Sequence, residues 1–95
     1  MANLEVDLVA ADRRVWSGEA SMVSAPAADG EIGILPGHAP VLAVLRPGTV
    51  RIRAVDGALQ TIRVDAGFLS VDSNQVTLVV DSAETDTVAA PGTRR

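Results

Sequence analysis

The feature that most restricts this chain is a two-residue alternation of apolar and polar side chains, interrupted by turn residues at short intervals. Leu4, Val6 and Leu8 alternate with Glu5 and Asp7, the period of a half-buried strand. Asp12-Arg13-Arg14 breaks that run. Val15-Trp16 follows as a short apolar pair closed by Ser17-Gly18, and Ala20, Met22 and Ser24 then alternate with Ser21, Val23 and Ala25. Pro26-Ala27-Ala28-Asp29-Gly30 reads as a loop or turn, and Ile32, Ile34 and Leu35 as a short apolar segment stopped by Pro36-Gly37. Val41 to Leu45 is continuously apolar, which predicts a strand buried on both sides.

The second half repeats the pattern. Pro47-Gly48 suits the centre of a type II turn, with Pro fixing φ and Gly accepting a positive φ. Val50, Ile52 and Ala54 alternate with Arg51 and Arg53, and Asp56-Gly57 signals a hairpin to the run Leu59–Val64. If the even face of that pair is inward, Arg51, Arg53 and Arg63 point to solvent or to a partner. Ala66-Gly67 leads into Phe68-Leu69-Ser70-Val71, Asp72 to Gln75 is a turn, and Val76, Leu78 and Val80 close the series. No stretch sustains the 3.6-residue period over the roughly 10–15 residues of an ordinary helix. The expected class is all-β, about eight to ten short strands that bury their faces by stacking two sheets or closing one. From Asp81 the character changes to Thr, Ala and Asp, ending Pro91-Gly92-Thr93-Arg94-Arg95. That segment predicts at best one helical turn near Ser82 and then a mobile tail.

Composition bounds the chemistry. Ninety-five residues fit a single domain, and 47% hydrophobic content is not that of a disordered chain. The absence of cysteine removes disulfides, thiol chemistry and Cys-type metal sites. The longest apolar run falls far short of the 18 or more residues of a membrane span, and the start lacks a signal-peptide pattern, so a cytoplasmic location is expected. Net charge is −4, which disfavours non-specific nucleic-acid binding, and Trp16 and Phe68 are the only aromatics. His38 stands alone, without the partners that a metal site needs. Gly30, Gly33 and Gly37 do not have the spacing of a phosphate-cradling loop, and there is no lysine to complete one. A non-catalytic domain without a cofactor is the expectation. A small ligand-binding β-sandwich is the alternative, made poor by the scarcity of aromatics to line a site.

One segment specifies more than strand content. Glu31-Ile32-Gly33-Ile34-Leu35-Pro36-Gly37-His38-Ala39-Pro40 interleaves two prolines and two glycines with bulky aliphatics. Backbone shape is being dictated there. Preceded by Asp29-Gly30, it resembles the signature G-E-[LIM]-G-x-x-P-x-H-x-P of the N-terminal domain of the epsilon subunit of bacterial rotary (F-type) ATP synthases. Trp16-Ser17-Gly18, Pro47-Gly48, Ala66-Gly67 with Val71, Asn74-x-Val76-Thr77 and Ser82-Ala83-Glu84 extend the resemblance from about Leu4 to Glu84.

The resemblance implies a two-sheet β-sandwich of about ten strands over residues 1–84, followed by a flexible tail over 85–95. It implies a non-catalytic place in the central stalk, bound to the gamma subunit and seated on the ring of c subunits. The location it implies is peripheral, on the cytoplasmic face of the membrane. It puts Gly30, Glu31 and Ile32 at the c ring, and Ala10, His38 and Leu42 near gamma. Family members add an inhibitory hairpin of two helices. After Glu84 only eleven residues remain here, without an amphipathic repeat, so the expectation is coupling without that inhibitory element.

Overall fold

A computed structural model describes residues 3–85. Nine strands fill them in chain order: β1 (Leu4–Ala10), β2 (Arg13–Ala27), β3 (Gly30–Ile34), β4 (Val41–Leu45), β5 (Gly48–Ala54), β6 (Leu59–Val64), β7 (Gly67–Asp72), β8 (Gln75–Val80) and β9 (Ala83–Thr85). All pairings are antiparallel except β1 with β8.

Strand β2 organises the molecule. Its first half, Arg13 to Ala20, pairs with β1, while its second half pairs with β5 on one side and β3 on the other. One layer is therefore β4-β7-β8-β1 with the first half of β2. The other is β3, the second half of β2, β5, β6 and β9. Counted twice, β2 accounts for the tenth strand of the sandwich. The segment that reads as two runs separated by Ser17-Gly18 is thus one 15-residue strand. It turns from layer to layer at an irregularity between Ala20 and Met22. A bulge of this kind bends the strand and inverts its parity: Ala20 is buried, and after it Val23 and Ala25 are buried while Met22 and Ser24 lie outward of them. Trp16 half-buries its ring over Gly18, where a Cβ would meet ring carbon Cη2 at 3.1 Å.

Between the layers lie Leu4, Val6, Leu8, Val23, Ile34, Leu45, Val50, Ile52, Ile62, Leu69, Val71, Val76 and Leu78, with no polar residue buried among the described residues. The predicted inward faces of β1, β5, β6 and β8 are the observed ones. The turns follow local chemistry. Ser73 and Asn74, at φ 51° and 64°, make the two-residue loop of the β7–β8 hairpin. At the β5–β6 hairpin, Gly57 takes φ 93° and the Asp56 carboxylate accepts from the Ala58 N–H at 3.0 Å.

Four expectations are corrected. Pro26 and Ala27 belong to β2, not to a loop, because the turn needs only Ala28-Asp29. Val41 to Leu45 is not buried on both sides: Leu42 is 74% and Val44 54% exposed, since β4 is an outer strand covered on one face only. Pro47-Gly48 is not a type II turn. Gly48 begins β5 without a positive φ, and its smallness serves contact with Pro26, whose ring carbons would lie 2.9 Å from a Cβ there. The helical turn near Ser82 is replaced by β9, which adds to the edge of β6, with Ala83 opposite Val64. The Arg13 guanidinium holds it by donating to the Ala83 carbonyl at 3.0 Å. The predicted mobile tail lies outside the described residues.

Candidate functional site

Two features of the sandwich stand out from a self-contained domain: a tethered loop and an uncovered apolar face. The loop runs from Leu35 to Pro40. Pro36 and Gly37 occupy the centre of a turn in which the His38 N–H donates to the Leu35 carbonyl at 3.1 Å, with Gly37 at φ 87°. This is the type II arrangement, Pro setting φ and Gly accepting the positive value. The loop is also tied at long range. The Gly37 N–H donates to Asn74 Oδ1 at 2.7 Å, and the Asn74 carbonyl accepts from the Glu5 N–H at 2.8 Å. Asn74 thereby joins the loop to the β7–β8 turn and to β1. His38 is half-buried, its Nδ1 lying 2.7 Å from the Ala39 carbonyl.

The apolar face is the outer side of β4, β7 and β8. Val44 lies opposite Phe68, Phe68 opposite Val79, and Val79 beside Val9 of β1. Leu42, two residues from Val44, extends the row. Phe68 is 55% and Val79 48% exposed. Apolar side chains clustered on one face of a small domain mark an interaction surface. The row ends in polar ground: Leu42 faces Ser70, Ser70 faces Thr77, and Thr77 lies beside Asp7, which pairs with Arg14 at 3.4 Å.

Between β4 and the β2–β3 hairpin opens a groove of about 400 Å³, lined by Ala27, Ala28, Asp29, Ile32 and residues 41–44 of β4. It joins the hairpin to the apolar face. Ile32 and Leu42, assigned above to different partners, thus share one groove. Glu31 is exposed on the opposite side of β3 from Ile32, and Gly30 sits beside the hairpin tip at φ 137°. Glu31 stands near the start of β3, and His38 lies in the loop beyond its end. Ala10 differs from the others: it is 3% exposed with its methyl in the core, so a contact there falls to its backbone or to its neighbours. The sequence reading missed Val44, Phe68 and Val79. A signal was present, since Phe68 has the parity opposite to Leu69 and Val71. It also missed Asn74, whose side-chain bond spans 37 residues and leaves no local trace.

This arrangement offers packing and hydrogen-bonding surface, and no cluster of metal-ligating side chains occurs among the described residues. Residues 3–86 match the family described as ATP synthase, Delta/Epsilon chain, beta-sandwich domain. The ATP synthase epsilon chain of Micrococcus luteus is 49% identical over 90 residues, covering 95% of this chain and 99% of that one. The epsilon chain of Streptomyces avermitilis is 49% identical over 83 residues, covering 87% of this chain and 67% of that one. Among solved structures, a chain of the Euglena gracilis mitochondrial ATP synthase OSCP/F1/c-ring structure superposes with a TM-score of 0.84 at 21% identity. That match covers 90% of this chain and 54% of the other, and at this identity it speaks to the fold. The chain belongs to the ATP synthase delta/epsilon family, of which it carries the β-sandwich domain.

Proposed function

We propose that this chain works as the epsilon-type subunit of the central stalk of an F-type ATP synthase, joining the gamma subunit to the c ring. It is a non-catalytic subunit, and its contribution is mechanical. Two side-chain-packed layers sharing one continuous strand make a stiff body through which rotation is passed. The observation that carries this reading is the uncovered row Leu42, Val44, Phe68 and Val79 on a domain of this family. Such a row is best explained by a partner that covers it. We assign gamma to that face, with Leu42 and His38 at its margin, and the c ring to the hairpin end with Gly30, Glu31 and Ile32. Ala10 is buried and paired on both sides, so we assign the gamma contact at that end of β1 to its neighbours.

The subunit is peripheral. No helix among the described residues is long and apolar enough to cross a membrane. We assign the subunit to the cytoplasmic side, attached through the complex. The sandwich unit is taken to run through Thr85, where β9 ends, rather than to stop at Glu84. We assign coupling to the sandwich. Reconstitution of the enzyme from its own subunits, with and without this protein, tests the reading. More proton pumping per ATP hydrolysed, with little suppression of hydrolysis, is expected. Failure to co-purify with gamma would overturn it.

A further inference from the structure

The layer that does not carry the apolar row has a contrasting outer face. Arg51 and Arg53 are exposed on β5 and Arg63 on β6. Arg51 lies opposite Thr61 and Arg63 opposite Thr49, so the three form a diagonal line, Arg53–Arg51–Arg63. Strand rise and strand spacing put successive members roughly 7–8 Å apart at Cα, and the whole line spans roughly 14 Å. Among the described residues no carboxylate pairs with any of them. Glu84 stands opposite Arg63 on β9 without forming an ion pair, and Arg53 makes only a long contact of 3.5 Å to the Gly57 carbonyl. Three guanidinium groups thus stand in a row with one carboxylate, Glu84, across from the last of them, on a chain whose acidic residues outnumber its basic ones by twelve to eight.

We propose that Arg51, Arg53 and Arg63 form a docking row for an acidic polypeptide segment, one that presents carboxylates about 7 Å apart, as alternate residues of an extended chain do. Guanidinium forks match carboxylates in pairs, and arginine is enriched where proteins meet. At the centre of the row the neighbours on the β2 side are low: Ser24 lies opposite both Arg51 and Gly33, and a Cβ at Gly33 would meet nothing within 4 Å. Met22 and Leu59 flank Arg53, so a segment laid along the row meets the guanidinium group of Arg53 above two apolar side chains. The footprint decides between polyanions. Asp56 at the β5–β6 tip and Asp65 at the far end are exposed and bracket the row, and Glu84 flanks Arg63 on the β9 side. A duplex or a bilayer surface is broad enough to meet all three carboxylates, and the net charge of −4 opposes it further. A single polypeptide segment that follows the row from Arg53 meets Glu84 alone. The row lies on the other layer from the apolar face, so this site stands or falls apart from the stalk assignment.

The test is a titration of the isotope-labelled full chain with an oligo-glutamate peptide, followed by amide chemical shifts at low and moderate salt. Shifts confined to β5 and β6 that fade with salt are expected. The double variant Arg51→Gln/Arg53→Gln should weaken binding about five- to tenfold with an unchanged melting temperature, while Arg46→Gln, an exposed arginine outside the row, should not weaken it. Absent or scattered shifts, an equal loss in Arg46→Gln, or tighter binding of a single-stranded oligonucleotide or of phosphatidylglycerol vesicles would each overturn the proposal.

Discussion

Glycine 33 and glycine 67 show how little a residue type says without its surroundings. Gly33 belongs to the shape-specified segment, yet its outward side is open and its φ is ordinary. Gly33→Val should therefore change stability by less than about 0.5 kcal/mol, because valine suits an exposed strand position. Gly67 is the constrained one. A Cβ at Gly67 would fall on the Val79 carbonyl oxygen and 2.7 Å from Val80 Cα, so β7 and β8 must separate to admit it. Gly67→Ala should cost about 1–3 kcal/mol, as overpacking does. Paired thermal melts check both, and a Gly33→Val melt as low as that of Gly67→Ala would contradict the assignment. Asn74 separates two roles in one residue. Asn74→Gly keeps the positive φ of the turn and removes only the bond to Gly37. It should cost about 1 kcal/mol and speed hydrogen exchange at Gly37 and His38, leaving the β7–β8 ladder protected.

Elements were legible where one face is wet and the other dry. β1, β5, β6 and β8 alternate cleanly because each has a solvent side, and a period of two is then visible in the side chains themselves. The hairpin turns at Asp56-Gly57 and at Ser73-Asn74 carry their geometry in their residues. What stayed hidden depends on pairing at a distance. The bulge after Ala20 inverts the parity of β2 without a glycine or proline to announce it. The apolar run Val41–Leu45 describes a buried strand equally well as an outer strand with a partner-covered face. Pro36-Gly37 and Pro47-Gly48 are the same dipeptide, yet only the first has a free loop in which to turn; the second is pinned against Pro26 and paired with Val64. β9 has too few apolar residues to declare itself and exists because β6 offers an edge and Arg13 a clamp. Arg13→Ala should accordingly raise amide exchange in residues 83–85 several-fold while β1 and β8 keep their protection. Uniform loss of protection across the sandwich would mean that Arg13 supports the whole fold instead.

At the scale of the molecule, the two outer faces have opposite character, and the apolar one is the feature that separates a domain built for assembly from a self-sufficient one. Phe68 is its centre, with Val44 on one side and Val79 on the other. Its side chain points away from Leu69 and Val71, which fill the core, so replacing it leaves the packing between layers intact. Phe68→Asp should therefore shift the melting temperature of the isolated protein little. In the assembled enzyme it would place an unpaired carboxylate under a covering partner, a cost of about 1–3 kcal/mol on protein mutational scales. Co-purification with gamma should then fall by roughly five- to hundredfold. Glu31→Ala is the matched control at the hairpin end. It is exposed and removes a polar contact only, so it should weaken assembly with the c ring modestly and leave both the melt and the gamma pull-down unchanged. The two variants act at separate places, so their effects on assembly should add. If Phe68→Asp instead lowers the melting temperature as far as Gly67→Ala does, and gamma still co-purifies, then the row is structural and the partner-facing side of the sandwich lies elsewhere.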